Sequence, residues 1–395
     1  MTTTRAEVVI TGGATAGHVL PAIAVARALV AAGLAPGAIH FVGVRRGIER
    51  RLVPEAGFSL TLLPGRGFVR RASLRNVAAF AGIVAAFAAS LVQLGRRRPR
   101  VVVAVGGFGS VACSLAAMVW RVPVVVVNVD SVPGAANRMI GRFATACAVA
   151  FPGTALPRAV VTGAPVRPEV LSVDRTAAGR ARARAALGIA GRGPLVGVVG
   201  GSLGARRLNE AAIGLAGLMG GCGDAVVYHV CGRRSLGEVT AAAAAAGLTD
   251  RPGLEYRVVA YEDHLAELFA AADLVVGRAG ASTVAELAAI GTPSILVPLP
   301  GAPSDHQAKN AAWLCGAGAA VLVRDDEATA ERVFGEVVAL LDDPARLGAM
   351  GEAARRAGRR DAAGAVASLV CDVAAGRWTN KGATARGGAG PEEGQ

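Results

Sequence analysis

"VVITGGATAGHVLPA" runs from Val8 to Ala22. Three apolar β-branched residues lead into a glycine-rich turn, and the turn leads to His18 and then to the alanine-rich segment Pro21–Ala32. A short apolar run closed by glycines and followed by a helical segment reads as a buried parallel strand, a tight turn and a crossover helix. The pattern returns at Ile39–Val42, Val101–Val105 and Val122–Val127, with helical Gly107–Trp120 before the last of these. Strand alternating with helix predicts a doubly wound α/β sheet.

A second series begins at "PLVGVVGGSLGARRLNEA" (Pro194–Ala211) and continues through Val226–Val230, Tyr256–Val259, Leu274–Val276 and Ser294–Val297. Between the two series, "VRPEVLSVDRTAAGRARARAALGIAGRG" from Val166 is charged and helix-prone, without an apolar strand. The expected organisation is an N-terminal α/β domain over 1–168, a linker over 169–193 and a C-terminal α/β domain over 194–375. A cleft is expected between the domains, the last helix packing back toward the first, and a disordered Gly-, Ala- and Glu-rich tail over 376–395.

Composition agrees with this pattern. A chain of 395 residues is long enough for two domains. It is 53% hydrophobic but only 4% aromatic, so its cores must be built from Ala, Val and Leu. Its 53 glycines argue against a simple helical bundle and for many tight turns. The net charge of +13 implies either an Arg-rich solvated surface or an anionic partner, such as a membrane surface or a nucleotide phosphate. No nucleic-acid motif accompanies it, so nucleic acid is not expected as a partner. Cys113, Cys147, Cys222, Cys231, Cys315 and Cys371 form no CxxC pair. They read as buried thiols in a reducing cytoplasm, not as a disulfide framework or a metal site. "MTTTRAEVVITGG" lacks the apolar region of a secretory signal.

Three glycine turns each follow a strand: "TGGATAGH", "VGGFGS" (Val105–Ser110) and "VGGSLGAR" (Val199–Arg206). Glycine lets backbone N–H groups approach phosphate oxygens at a helix N-terminus. None carries the Lys-Ser/Thr of an ATP-hydrolysing loop, and "GGATAG" is not GxGxxG, which argues against nicotinamide chemistry. In "ADLVVGRAGASTVAELAAIGTPSILVPLP" (Ala272–Pro300) a helix starts near Ser282, and Glu286 falls on the same face. A carboxylate there either accepts hydrogen bonds from vicinal ribose hydroxyls or simply complements the helix dipole. Asp305, His306, Gln307 and Asn310 form a polar cluster opening the next helix, as at a ligand cleft of an open α/β fold.

Taken together, "GGATAGHVLPA", "RRGIERRLVPEAGF", "VGGFGS", "SVPGAANR", "TGAPVRPEV", "GGSLGARRLNEA", "RAGASTVAELAAIGTPSILVPLP" and "DHQAKN" resemble the MurG family of bacterial peptidoglycan glycosyltransferases over about Val8 to Val366. The resemblance implies the two-domain GT-B fold and an inverting enzyme that needs neither metal nor cofactor. It implies transfer of N-acetylglucosamine from its UDP donor to the muramyl C4 hydroxyl of undecaprenyl-pyrophosphoryl-muramyl pentapeptide, converting lipid I to lipid II. The enzyme would sit peripherally on the cytoplasmic face of the cell membrane, with other cell-wall synthesis proteins as further partners.

By the same resemblance, Thr15, Ala16 and Gly17 border the donor phosphates, and Arg167 and Ser202 contact the nucleotide. Ala281, Ser282, Thr283 and Glu286 wrap the uridine and ribose. Gln307 reaches the donor sugar, and Glu262 offers a main-chain contact to uracil. His18 is the candidate base for the acceptor hydroxyl, since an imidazole suits proton removal near neutral pH; the other reading is a histidine that steadies its loop.

The chain departs from the family on the acceptor side. The family's His-Glu-Gln-Asn is Val127-Asn128-Val129-Asp130, and the tyrosine of its second glycine turn is Phe108, after Gly106. Asn128 thus stands where the family has Glu. Asp130, in place of Asn, becomes a donor-side contact and the second candidate base. Ala14 and Ala16 replace two glycines of the first turn. A transferase using another polyprenyl-linked acceptor, or a catalytically weakened copy acting as a scaffold, remain alternatives.

Arg70–Arg100 contains the uncharged stretch Val77–Val92 with arginines on both flanks. As a helix it is about 24 Å long, short of the roughly 30 Å hydrocarbon core. A mixed role is expected: part of the helix packs on the sheet, and exposed residues among Phe80, Ile83, Val84, Phe87 or Leu91 dip into an anionic leaflet without spanning it.

Overall fold

The computed structural model describes residues 7–379 apart from 14, 46, 65–73, 202 and 203; side chains are described except at 74–81 and 108. The chain divides into two compact units, Met1–Arg167 with Arg360–Gln395, and Pro168–Arg359. In the first, strands β1 (Val8–Thr11), β2 (Ile39–Val44), β3 (Ser59–Leu63), β4 (Val101–Ala104), β5 (Val124–Asn128), β6 (Ala146–Val149) and β7 (Ala159–Val161) alternate with helices α1 (Ala16–Ala31), α2 (Glu49–Glu55), α3 (Leu74–Arg97), α4 (Phe108–Val119) and α5 (Ala135–Gly141). The second holds α6 (Pro168–Ser172), α7 (Ala177–Ala186), β8 (Leu195–Val199), α8 (Arg206–Met219), β9 (Ala225–Val230), α9 (Leu236–Ala245), β10 (Leu254–Val259), α10 (Leu265–Ala271), β11 (Leu274–Gly277), α11 (Ala281–Ile290), β12 (Ser294–Leu296), α12 (His306–Gly316), β13 (Ala320–Leu322), α13 (Ala330–Leu341) and α14 (Pro344–Ala357). Helix α15 (Ala362–Ala374) returns to the first unit and packs on α1.

Each unit is built on one parallel sheet, in the orders β3-β2-β1-β4-β5-β6-β7 and β10-β9-β8-β11-β12-β13. In the first, Val8 aligns with Ile39 on one side and Val101 on the other. In the second, Val196 aligns with Val227 and Leu274. The chain order reverses between β1 and β4, and between β8 and β11. At such switch points the loops leaving the strand ends diverge to opposite faces and open a crevice. The glycine turns after β1 and β4 therefore lie together in one unit, and those after β8 and β11 in the other.

The cores follow from composition. Val9, Val102, Ala104 and Val126 pack under Ala86 and Leu94 of α3 and Ala112, Cys113 and Ala116 of α4. Val196, Val198, Val227, Leu274 and Val276 pack under Leu208 and Leu215 of α8. Small side chains bring helix and sheet close, so van der Waals contact substitutes for aromatic area. Burial pushes the Cys113 thiol up to about 12 and the Cys147 thiol up to about 11. Cys222 does not follow the expectation of burial: it is exposed, in the turn after α8.

Residues 169–193 are not a linker. They form α6 and α7, which pack on α10 of the second unit. Their arginines are anchors. Arg175 donates to the carbonyls of Phe269 (2.9 Å) and Ala270 (3.2 Å), Arg180 pairs with Asp273, and Arg184 donates to Gly191 and Gly193 (2.7 Å each). Carbonyls at a helix end lack intrahelical partners, and here guanidinium groups, with the Thr292 hydroxyl on Phe269 O, donate to those at the end of α10. The proposed tail beyond 379 lies outside the described residues.

Candidate functional site

In the first unit, the turns after β1, β4 and β5 enclose a cavity of about 280 Å³ lined by His18, Val105–Gly107, Asn128–Asp130 and Gly134–Asn137. Four residues singled out in the sequence, His18, Gly106, Asn128 and Asp130, therefore share one wall system. His18 is not at the end of a loop. Helix α1 begins at Ala16, so His18 occupies its first turn. Thr15 Oγ1 lies 3.2 Å from His18 Nδ1 and steadies one side of the ring. Nε2 faces Gly106: a Cβ on Gly106 would come within 3.1 Å of His18 Nε2 and 3.3 Å of Asn137 Oδ1. Gly106 also has a φ of +102°, so both conformation and space call for glycine there.

Burial pulls the His18 imidazole below its ordinary value of 6.5. Asp130, a hydrogen bond to the Gly13 backbone and Glu49 act in the opposite direction. A ring so placed is neutral at neutral pH and able to accept a proton.

Asn128 is 2% exposed and serves as a strut more than as a cavity acid. Its Nδ2 donates to the Asp130 carbonyl at 2.6 Å, and its Oδ1 accepts from Asn137 Nδ2 at 3.0 Å. That leaves Asn137 Oδ1 buried in the cavity wall without a hydrogen-bond partner. Asn137 was visible in "GAANR" as a polar residue in the first helical turn after Gly134, yet sequence reasoning gave it no role. Ala16 is half-buried and Gly17 exposed at the start of α1, and a Cβ on Gly17 would meet nothing within 4 Å. Ala14, Ser202 and the Phe108 side chain lie outside what is described.

In the second unit the turn after β11 is tied down by Arg278. Its Nη1 donates to the carbonyls of Val297 and Pro298 (3.1 Å each) and lies 2.6 Å from Asp325 Oδ1. Helix α11 follows, with Glu286 buried and Ser282 Oγ buried without a partner. An orphaned hydroxyl is costly unless a ligand or water meets it. Ala281 is buried and Thr283 half-buried on the same first turn. Asn310 Nδ2 donates to Ala279 O, and Gln307 Oε1 accepts from Leu299 N at 2.9 Å, so the Gln307 amide N–H groups are the free end. Ser304 and Asp305, just before α12, adopt left-handed conformations (φ 54° and 57°), which cost about 1 kcal/mol or more each for residues bearing a Cβ. His306 turns back to the Pro303 carbonyl. Arg167 is half-buried at the end of the first unit.

The Glu262 side chain is occupied internally. It accepts from the Tyr228 hydroxyl and, at 2.8 Å, from His264 N, which leaves only its backbone for any base contact. Among the described residues, no group of three or more His, Cys, Asp or Glu side chains is placed to hold a metal ion.

Comparison with known proteins matches this architecture. Residues 8–149 match the glycosyltransferase family 28 N-terminal domain and residues 195–366 its C-terminal domain. A UDP-N-acetylglucosamine--N-acetylmuramyl-(pentapeptide) pyrophosphoryl-undecaprenol N-acetylglucosamine transferase of Clavibacter sepedonicus is 42% identical over 374 residues, covering 93% of this chain and 96% of that protein. Its namesake in Clavibacter michiganensis is 41% identical over 93% of this chain and 96% of its own. The crystal structure of Acinetobacter baumannii MurG superposes with a TM-score of 0.72 at 27% identity, over 92% of this chain and 99% of that one. With both domain matches in sequence order on two parallel-sheet units, the chain belongs to glycosyltransferase family 28.

Proposed function

We infer that this chain is a UDP-N-acetylglucosamine-dependent hexosyltransferase that adds the sugar to the C4 hydroxyl of the muramyl residue in lipid I. The observation that carries the catalytic reading is the half-buried His18 ring, with Nε2 turned to the cavity beside Gly106 and Asn137. His18 takes the proton of the acceptor hydroxyl as its oxygen bonds to the anomeric carbon. The bond from that carbon to the diphosphate breaks on the opposite side, UDP leaves and the configuration inverts. Asp130 supports the imidazolium that forms. Asn137 Oδ1 accepts from a second acceptor hydroxyl or amide, which meets its missing hydrogen bond.

The second unit supplies the donor side. Glu286 takes the ribose hydroxyls, Ser282 and Thr283 lie at the α11 N-terminus beside the nucleotide, and Gln307 presents amide N–H groups to the sugar. The family resemblance assigns Arg167, Ser202 and the Glu262 backbone to the nucleotide, and Thr15, Ala16 and Gly17 to the diphosphate.

The enzyme docks on an anionic membrane surface through the face shared by α3 and the end of α4. No described helix is long and apolar enough to cross a membrane. Of the candidates named from the sequence, Phe87 and Leu91 belong to the part that packs on the core, because they lie on the α3 face that meets α4 and the sheet. Val84 (52% exposed), Val92, Met118, Val119 and Trp120 face out instead, and Phe80 lies outside the described side chains. The Trp120 indole is pinned to Leu91 O at 3.0 Å, and Arg96, Arg98, Arg100 and Arg121, close in sequence to α3 and the end of α4, are exposed.

The altered acceptor wall favours testing acceptors side by side. Purified protein given radiolabelled UDP-N-acetylglucosamine should label lipid I in preference to polyprenyl-linked sugars lacking the muramyl peptide. Labelling only of the latter would support the other-acceptor reading, and UDP binding without any transfer would support a scaffold.

A further inference from the structure

Glu49 and Glu286 are the carboxylates buried to 5% exposure or less among the described residues. Glu286 belongs to the donor side, whereas Glu49, the first residue of α2, has no part in the scheme above. We propose that Glu49 is a positioning residue for the transfer, a carboxylate that braces the glycine turn leading into His18.

The brace is visible in three glycines. A methyl group on Gly13, Gly43 or Gly47 would overlap the Glu49 side chain, so the carboxylate is pressed against bare backbone on three sides. Gly13 lies in the first glycine turn, Gly43 in β2 and Gly47 in the turn before α2. The carboxylate also closes the end of β2, with Val44 N donating to Oε1 at 2.8 Å. Burying a carboxylate is costly without hydrogen bonds; the Val44 N–H and a position in the first turn of α2 offset that cost.

Two routes connect this group to His18. Gly13, which rests on Glu49, hydrogen-bonds the His18 ring through its backbone. A shift of Gly13 therefore moves the ring. The charged groups acting on the ring are Asp130, from the loop after β5, and Glu49, from α2, and both favour its protonated form against the opposing effect of burial. Glu49 thus stabilises the imidazolium that proton transfer creates.

The kinetic half of this proposal rests on His18 being the base, while the structural half does not, and the test separates them. Glu49→Gln keeps the shape and the acceptor for Val44 N but removes the charge; Glu49→Ala would empty the cradle and confound folding with function. Histidine is labelled with ¹⁵N in the full chain, the His18 signal is identified by its loss in His18→Gln, and its titration is followed without substrates. In Glu49→Gln the His18 ring should titrate at lower pH than in the wild type. The acid limb of the kcat profile should move the same way, and kcat at neutral pH should fall about threefold to tenfold, as for a weakened base. Movement of the titration without movement of the kcat profile would support the link to Glu49 and contradict the base assignment. An unchanged His18 titration would overturn the proposal, and a fall in kcat that only tracks a fall in Tm would reduce Glu49 to a structural residue.

Discussion

Asn137 Nδ2 lies 3.0 Å from Asn128 Oδ1, and this hydrogen bond decides which end of the Asn137 amide faces the cavity. Asn128 Nδ2 donates to the Asp130 carbonyl, and its oxygen accepts from Asn137. The Asn137 oxygen is left pointing beside His18. Position 128 therefore sets the orientation of the Asn137 amide in the cavity wall.

Asn128→Asp should damage this arrangement. A carboxylate still accepts from Asn137 but cannot donate to the Asp130 carbonyl, and its second oxygen repels it. The expected loss of stability is about 1–3 kcal/mol for a buried group left unsatisfied. Chemical denaturation should show it, together with a raised KM for lipid I and little change in UDP affinity. Restoring a carboxylate with Asn128→Glu should likewise bring no gain in transfer, for the same reason.

With His18 as the base, the proposed mechanism predicts the pH dependence of kcat. Its pKa is lowered by burial, so the neutral, proton-accepting form predominates at neutral pH. Turnover should rise with pH through an apparent pKa below 6.5 and stay level above it. A rate that climbs through the alkaline range would point to another base.

Stability should fall on acidification for a separate reason. Burial lowers His40 and His229 to about 4. Below 6.5 the unfolded chain takes up protons that these folded rings refuse, so stability is fully present above 6.5 and is lost as pH falls toward 4. Each histidine contributes on the order of 3 kcal/mol across that window. Urea midpoints measured between pH 7 and pH 4.5 should decline, and His229→Gln should flatten part of the decline.

On the donor side, Glu286→Gln removes a charged acceptor while keeping its buried volume. A hydrogen bond to a charged group contributes about 1.5–3 kcal/mol. UDP affinity by calorimetry should therefore weaken roughly tenfold to a hundredfold. Unchanged affinity would assign Glu286 to the helix dipole alone.

Membrane docking predicts that binding to phosphatidylglycerol vesicles falls with salt and with Val84→Asp plus Val92→Asp. Both side chains are about half exposed, so the fold should tolerate the change. The loss should be about tenfold or more from lost apolar burial and added repulsion. Equal binding to neutral and anionic vesicles would contradict the arginine contribution.

Much of this was legible in the sequence because parallel strands buried on both faces are continuous apolar runs. Val8–Thr11, Val101–Ala104 and Leu274–Gly277 read directly, and their order placed the glycine turns. Ser59–Leu63 and Ala320–Leu322 escaped notice because edge strands are short and partly exposed. Residues 169–193 misled for a related reason: their arginines look like a solvated linker, but they reach carbonyls contributed by residues some ninety positions away. His18 and Glu286 could be singled out from local spacing. The roles of Asn128, Asn137 and Glu49 could not, since each depends on a partner brought close only by the β1–β4–β5 and β2 turns.

The central claim is tested most directly by transfer to lipid I, measured in wild type and His18→Gln with UDP affinity determined on the same preparations. The account predicts labelled lipid II from the wild type, a loss of about a hundredfold or more in His18→Gln, and equal UDP affinity in both. Transfer at the wild-type rate by His18→Gln would contradict it, as would a wild-type protein that binds UDP but never labels lipid I.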